Sequence, residues 1–223
     1  IEHIKYISEG YYHWPMDLWV PESITFLSML HVPHILFSSI LSLVVFLSLL
    51  ISFETNRYKY SILAGITAFI WFSFHPFHFF TLLVVGAVYT FLRGILDKKV
   101  PFSYLKQLLV TIILALPSVI YHFVIIAQDT LMAGRAEQNI LYTPAWGLLL
   151  VSYGFVGILT VVGAARVIKK KDNKWIFIAT WFIVQTLLLY APLAFQRRLT
   201  QNLHFPMILL ATLAVIYLAN KFR

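Results

Sequence analysis

The sequence predicts an all-α protein, a polytopic bundle of about seven helices in a membrane. Hydrophobic residues make up 60% of the 223 residues and charged residues only 12%, with a mean hydropathy of +0.81. A soluble domain carries about a quarter charged residues. Apolar runs long enough to cross a bilayer recur along the chain. The basic residues gather in alternate gaps between these runs, as expected of a chain that crosses a membrane repeatedly.

The apolar runs give the individual spans. The strongest candidates are 34–53, 104–127, 147–167 and 175–194, with a shorter run at 205–220. The stretch 60–95 is too long for one straight helix, since it would measure about 54 Å against about 30 Å of hydrocarbon. Near its middle lie His75 and Pro76, and a proline disfavours helical backbone in the residue before it. We therefore expect two short helices, 60–74 and 77–95, in a hairpin broken at His75-Pro76.

The basic residues are distributed unevenly between the two sides that these spans define. Of the 17 Lys and Arg residues, 13 lie in gaps that open to one side, and the exceptions are Lys5, Arg135, Arg197 and Arg198. Because Lys and Arg concentrate in cytoplasmic loops, the side with the 13 basic residues should face the cytoplasm. We expect an integral protein of the cytoplasmic (inner) membrane. Its N-terminus would lie outside and its C-terminus in the cytoplasm. Charge counting does not decide whether the 60–95 pair crosses fully or re-enters, since both return the chain to the same side.

This orientation divides the chain into an extracytoplasmic loop, 1–33, and a transmembrane helical domain, 34–223. Within the loop, Ser23 is a typical N-cap residue for a short interfacial helix over 24–30. The later outer segments are the 75–78 turn, 128–146 and 195–204. We expect a functional site in a cleft bounded by these outer segments.

Composition also excludes several classes of protein. The net charge of +8 does not indicate a nucleic-acid partner, because the basic residues flank spans and leave no basic face. The run Lys169-Lys170-Lys171 fits contact with membrane lipid head groups. The absence of cysteine excludes a disulfide framework and thiol chemistry. The chain starts at Ile1 without a signal peptide, so we expect a C-terminal fragment of a longer protein.

Two acids stand out in the outer loop. Asp17 and Glu22 lie in a stretch rich in aromatic residues and proline. A carboxylate beside a substrate hydroxyl can take its proton, so both residues are candidate catalytic groups. The alternative for each is an ordinary solvated loop acid.

The histidines also collect on the outer side. His31 and His34 share the spacing H-x-x-H with His75 and His78, which on a helix places both rings on one face and suits a metal. A proline stands inside each pair and no carboxylate stands beside it. The rings can therefore be structural, substrate-binding or metal-binding, and we take His34, His75 and His78 as candidate substrate ligands. No metal site is assigned and no cofactor is indicated with certainty, although a divalent metal remains an alternative.

Gln196, Arg197 and Arg198 form the sharpest motif. Two adjacent guanidinium groups stand at the outer end of a span, where the orientation rule disfavours positive charge. His204 follows, and Pro206 fits the first turn of the last helix. Arginine is suited to bidentate contact with phosphate, and helix N-terminal N–H groups add positive potential. The motif predicts an anion site that includes Gln196, Arg197, Arg198 and His204; lipid anchoring or an ion pair is the alternative.

Short motifs along the chain resemble a known group. They are D-L-W-V-P-E-S (17–23), P-H (33–34), H-P-F-H (75–78), F-Q-R-R-L (195–199) and H-F-P (204–206). In this order they resemble uncharacterised bacterial polytopic membrane proteins that are related to type C (GT-C) glycosyltransferases. The resemblance extends over most of the chain, as scattered short motifs.

The resemblance implies a specific chemistry. Type C enzymes take a polyprenyl-phosphate-linked sugar as donor and act on the extracytoplasmic side of the membrane. Arg197 and Arg198 would then face the lipid phosphate, and Glu22 would be a second acid over the site. The main catalytic carboxylate of such enzymes follows their first span, so here it would lie upstream of this chain.

Two other functions remain open from the sequence. A transporter or flippase for a lipid-linked or anionic substrate is the main alternative, although no Asp, Glu or Lys lies deep in a span to couple transport to ions. An enzyme of the O-antigen ligase or polymerase type is a further alternative. The lack of a long external loop late in the chain argues against it.

Overall fold

A computed structural model describes residues 15, 16, 20–23, 26, 28, 30, 32–138 and 140–221. The regular secondary structure in this part of the chain is helical, and these residues contain no β-strand. The predicted fold class, an all-α helical membrane bundle, is therefore confirmed.

Each of the seven apolar segments expected from the sequence contains an α-helix. In chain order the helices are α1 (Pro33–Thr55), α2 (Tyr58–Phe74), α3 (His78–Asp97), α4 (Phe102–Gln128), α5 (Thr130–Gln138), α6 (Trp146–Lys170), α7 (Asn173–Leu188) and α8 (His204–Lys221). Among the described residues, five helices are long and apolar enough to cross a membrane: α1, α3, α4, α6 and α8. With 17 and 16 residues, α2 and α7 measure about 26 and 24 Å, short of a hydrocarbon core of about 30 Å.

The hairpin at Pro76 forms where it was expected. Helix α2 ends at Phe74 and α3 begins at His78. The N–H of His75 still donates to the carbonyl of Trp71 at 2.9 Å. The N–H of His78 donates to the carbonyl of His75 at 3.2 Å. The turn therefore closes with its backbone groups paired although Pro76 interrupts the helix.

Two boundaries differ from the sequence prediction. Helix α7 ends at Leu188, so the apolar residues 189–194 are not helical. Pro192 explains the early end, because it lacks an N–H and disfavours helical backbone at the residue before it. The segment 128–146, which is predicted to lie outside, contains the short helix α5, whose low hydropathy concealed it. An N-terminal Asx interaction starts this helix, with the Asp129 carboxylate accepting the N–H of Leu131 at 2.8 Å.

The chain divides into two compact units, and each is described by itself. The central unit is His34–Ile140, and the terminal unit combines Ile1–Pro33 with Leu141–Arg223. The predicted division at residue 33 concerns the sides of the membrane rather than packing, and it stays a prediction.

The central unit is organised around a buried tryptophan. The Trp71 indole is fully buried and donates its N–H to the Ser38 hydroxyl at 2.8 Å, which ties α2 to α1. Phe46 of α1 packs edge-on against the same indole. Between α2 and α4, the Ser61 hydroxyl donates to the Gln107 side chain, which is also buried. Small polar side chains thus link helices within an apolar unit, as is usual in membrane bundles.

The terminal unit packs α6 directly against α8. A Cβ atom at Gly163 would overlap the carbonyl oxygen of Leu210, so the two backbones touch at this point. Nearby, the Thr160 hydroxyl donates to the carbonyl of Met207 at 3.1 Å. Helix α6 is kinked at Gly154, whose φ of 40° and ψ of −126° are not helical. Residues 146–153 therefore form a separate first segment of α6.

The predicted interfacial helix over 24–30 is described only in part. Phe26, Ser28 and Leu30 have helical backbone, and the other positions of this segment lie outside the described residues. Phe26 and Leu30 are exposed whereas Ser28 is buried. These three positions agree with a helix that has an apolar outer face.

Candidate functional site

The Arg197-Arg198 pair lies on a short 3-10 helix, Gln196–Thr200, between α7 and α8 of the terminal unit. Two backbone hydrogen bonds join this helix to the segment before α6. The N–H of Leu141 donates to the carbonyl of Ala194 at 2.7 Å, and the N–H of Arg197 donates to the carbonyl of Leu141 at 3.0 Å. The two guanidinium groups therefore project from a fixed backbone and not from a loose loop.

Gln196 holds the start of this helix. Its side-chain oxygen accepts the N–H of Thr143 at 3.3 Å, and its amide nitrogen donates to the carbonyl of Ala191. The side chain is buried, so both ends of the amide are used for the fold. The structure thus gives Gln196, a predicted substrate ligand, a supporting role in which it orients the segment that carries the arginines.

Gln185 of α7 supports the same helix from inside the bundle. Its amide nitrogen donates to the carbonyls of Leu199 and Gln201 at 2.6 and 2.7 Å, and its oxygen accepts the indole N–H of Trp181 at 2.6 Å. The side chain is fully buried. A buried amide with its donors satisfied fixes the residues on either side of the turn.

Glu22 lies in the same unit as the arginine pair. It belongs to the 3-10 turn Pro21–Ser23, which packs against the helix Gln196–Thr200. Ser23 holds this turn in place, because its hydroxyl shares one proton between the carbonyls of Met16 and Val20, at 3.0 and 2.8 Å. The structure therefore brings the acidic residue Glu22 close to the basic residues Arg197 and Arg198, which lie about 175 positions later in the chain.

The charges of these groups act on one another. Burial lowers the pKa of the Arg198 guanidinium, the nearby Glu22 carboxylate raises this pKa, and the Arg197 charge lowers it. Two half-buried cations beside one acid leave an excess of positive charge. Since partial burial weakens solvent screening, an anion placed here gains more electrostatic energy than at an open surface.

Tyr153 joins Glu22's turn to His204. Its hydroxyl donates to the carbonyl of Ser23 at 3.3 Å, and its ring lies 5.8 Å from the imidazole of His204, measured between ring centroids. His204 is the first residue of α8. The neighbouring Ser152 hydroxyl accepts the N–H of Met16 at 2.7 Å. The first segment of α6, which precedes the Gly154 kink, therefore contacts both sides of the site.

Two buried polar residues that the sequence did not single out, Asn202 and Thr143, adjoin the arginine helix. Asn202 follows the arginine helix with a positive φ of 72°, and its side chain is only 6% exposed. Neither its amide oxygen nor its nitrogen has a hydrogen-bond partner among the described residues, and the same holds for the buried Thr143 hydroxyl. Because buried polar groups are nearly always paired, these atoms call for water or a ligand.

The candidate histidines of the central unit form a cluster of their own. The rings of His34 and His75 lie 5.7 Å apart between centroids, and those of His75 and His78 lie 6.2 Å apart. His75 and His78 are buried, and the His78 ring stacks on Trp71. The structure thus groups His34 with His75 and His78, which the spacing within each pair did not predict, and packs the His78 ring on Trp71.

Other predicted groups are placed as follows. Asp17, the second candidate acid, lies outside the described residues. Within 15, 16, 20–23, 26, 28, 30, 32–138 and 140–221, no group of three or more His, Asp and Glu side chains is arranged to hold a metal ion. The single cleft shared by all outer segments stays a prediction, because His34, His75 and His78 belong to a different unit from Glu22 and the arginines.

Comparison of this chain with protein families, with curated proteins and with solved structures finds no match. The resemblance to type C glycosyltransferases therefore rests on the short motifs alone. What the terminal unit offers chemically is a fixed pair of guanidinium groups, an adjacent carboxylate and a buried amide at the end of apolar helices. This combination suits an anion whose remainder is apolar.

Proposed function

We propose that this chain is the membrane part of a glycosyltransferase that uses a polyprenyl-phosphate-linked sugar as donor. The observation that carries the proposal is the placement of Arg197 and Arg198 on one rigid 3-10 helix beside Glu22. Apolar helices flank this helix on both sides in the chain. A lipid phosphate could therefore bind the arginines while its polyprenyl chain stays in the bilayer.

The arginine pair supplies what the leaving group of this reaction needs. When the bond from sugar to phosphate breaks, negative charge grows on the phosphate oxygens. Fixed guanidinium groups stabilise that charge without having to reorganise. Arginine also matches phosphate geometry with two parallel hydrogen bonds, which lysine cannot provide. Gln185 and Gln196 supply the rigidity that this preorganisation requires.

Glu22 has two roles in the proposal. As an anion beside Arg198, it balances one of the two cations and leaves a net positive charge for the phosphate. As a carboxylate at the edge of the site, it can accept the proton of an acceptor hydroxyl. The resemblance places the main catalytic base upstream of this chain, so Glu22 would assist that base and not replace it.

The experiment that tests the proposal is binding of polyprenyl phosphate to the purified chain in neutral detergent. We expect Arg197→Gln and Arg198→Gln each to weaken binding at least tenfold, a change of about 1.4 kcal/mol. Arg135→Gln, which removes an exposed arginine from α5, is the matched control and should bind as the parent chain does. Unchanged affinity in both site variants would contradict the proposal.

The proposal also requires the arginine helix to lie outside the cell. The chain has no cysteine, so single cysteines can be introduced without background. We expect Ala194→Cys, at an exposed position next to the site, to react with a membrane-impermeant maleimide in intact cells. Lys171→Cys, at the end of α6, should react only after lysis. The reverse pattern would place the site in the cytoplasm and exclude this donor chemistry.

One observation favours a second candidate, a transporter or flippase for the same kind of lipid. Helix α6 is broken at Gly154, and the residues 189–203 that follow α7 are mostly not α-helical. Broken helices at a binding site are common in transporters. Movement of polyprenyl phosphate across liposomes that contain this chain and no sugar acceptor would support the transporter. Sugar transfer by the parent protein without such movement would support the transferase.

A further inference from the structure

A second polar site lies in the terminal unit where α6 and α8 end and α7 begins. A cavity of about 220 Å³ opens between these three helices. Its lining includes Arg166 and Lys170 from α6, Trp175 from α7 and Tyr217 from α8. These residues are distant in sequence from the arginine pair, and the proposed function does not use them.

Arg166 is held in a defined position inside this cavity. Its guanidinium carbon lies 3.5 Å from the centre of the Tyr217 ring, and both side chains are half-buried. Stacking on an aromatic face fixes the plane of the guanidinium and leaves its N–H groups directed outward along the edge. A cation that is fixed in this way can hold an anion without a large loss of side-chain entropy.

The charge balance of the cavity is positive. Arg166 and Lys170 line it together with a single acid, Asp172. The Asp172 carboxylate is engaged as the N-cap of α7, where it accepts the N–H of Lys174 at 3.1 Å. The cavity is therefore complementary to an anion.

The remaining wall of the cavity is apolar. Leu213 and Ile216 of α8 line it, and Ile216 is 52% exposed. Because α8 is long and apolar enough to cross a membrane, this surface lies along lipid. A cavity of this size admits a phosphate with its glycerol but not a pair of acyl chains, which would extend along the exposed face of α8.

We infer that this cavity binds the head group of an anionic glycerophospholipid. The phosphate contacts Arg166 and Lys170, the glycerol lies against Trp175, and the acyl chains follow Leu213 and Ile216. Basic pockets between membrane helices, with aromatic residues at the interface, are suited to such head groups. Bound lipid would join the ends of α6, α7 and α8, and so stabilise the unit that carries the arginine site.

The test compares lipid binding by the purified chain in neutral detergent, measured by native mass spectrometry. We expect the double variant R166Q/K170Q to retain phosphatidylglycerol at least fivefold less than the parent chain. The control K169Q/K171Q removes the same charge from the same helix end, but neither residue lines the cavity, so it should retain the lipid. Equal loss in both double variants, or no loss in either, would overturn the inference.

Two further arms separate the possible sources of the phosphate. Phosphatidylcholine, which has no net charge, should be retained much less than phosphatidylglycerol. Inorganic phosphate at the same concentration should neither raise the melting temperature of the chain nor displace the lipid. If inorganic phosphate competes as well as phosphatidylglycerol does, the cavity is a site for free phosphate and the lipid inference fails.

A second measurement keeps the inference testable if R166Q/K170Q does not fold. Phosphatidylglycerol with brominated acyl chains should quench the tryptophan fluorescence of the otherwise unaltered chain more than brominated phosphatidylcholine does. This difference should disappear in Trp175→Phe, because Trp175 is the tryptophan that lines the cavity. Equal quenching by both lipids in the unaltered chain would contradict the inference. Failure here leaves the arginine site unaffected, since none of these residues belongs to it.

Discussion

Gln185 donates a hydrogen bond to the backbone carbonyl of Gln201 at 2.7 Å, and through this bond helix α7 determines the course of the chain beyond the arginine pair. The same amide nitrogen donates to Leu199 at 2.6 Å. Both carbonyls belong to residues that are almost completely buried, so no solvent can replace the amide. The position of Arg197 and Arg198 therefore depends on a side chain that carries no charge and lies outside the site itself.

Replacing Gln185 with leucine should lower the free energy of unfolding by about 2–4 kcal/mol, because it leaves buried carbonyl groups without a donor. Unfolding by SDS in mixed micelles measures the change. Thr186→Val is the matched control: it removes only a bond within α7, from the Thr186 hydroxyl to Phe182, and should change stability much less. Equal stability of both variants would mean that the Gln185 amide is not needed to hold the turn.

Much of the fold follows from the sequence because hydropathy and proline are local signals. The break at Pro76 could be predicted from the length of the 60–95 run and the missing N–H of proline alone. The early end of α7 carried a similar signal in Pro192, which the continuous hydropathy of 175–194 obscured. Helix α5 gave no apolar signal at all, since it has nine residues and a mixed polar composition.

The candidate site was predictable only in part. The arginine pair stood out because two adjacent cations at a helix end that is predicted to lie outside break the usual charge bias. Asn202 did not stand out in the sequence, since a left-handed backbone at asparagine depends on the surrounding fold and not on neighbouring residues. The kink at Gly154 was hidden for a similar reason, because a glycine within an apolar run is equally compatible with regular helix packing. Long-range packing decided which of the candidate residues share a unit.

Substitution of Gly163 by alanine should disrupt the contact of α6 with α8. The added methyl group would overlap the carbonyl oxygen of Leu210, and backbone cannot rotate aside as a side chain can. We expect a loss of about 1–3 kcal/mol in the free energy of unfolding, typical of overpacking. Gly147→Ala is the control, because a Cβ atom there meets nothing within 4 Å. If the two variants are equally stable, the close approach of these helices is not supported.

Asn202→Gly tests whether the buried amide serves a ligand. Glycine accepts the φ of 72° without strain, so the variant removes, without distorting the backbone, an amide that has no hydrogen-bond partner among the described residues. We expect the free energy of unfolding without ligand to be unchanged or higher, and the affinity for polyprenyl phosphate to fall at least threefold.

Asn56→Gly is the matched control for this variant. Asn56 also has a positive φ, but its side-chain oxygen accepts the amide N–H of Gln107 at 3.1 Å. Its removal should lower stability by about 1–2 kcal/mol, because the buried Gln107 amide then loses this acceptor. If Asn202→Gly is destabilised as strongly as Asn56→Gly, the Asn202 amide supports the fold and its proposed contact with the ligand is wrong.

The kink at Gly154 gives the last prediction. A φ of 40° with a ψ of −126° is not accessible to alanine without strain, so Gly154→Ala should lower the free energy of unfolding by about 1–3 kcal/mol. Since Tyr153 and its bond to the carbonyl of Ser23 depend on this kink, we also expect weaker binding of polyprenyl phosphate. Gly157→Ala, three residues along the same helix, places its methyl group at an ordinary 3.4 Å from Tyr153 and should be tolerated. Equal stability and binding in the two variants would show that the kink does not require glycine and does not position the site.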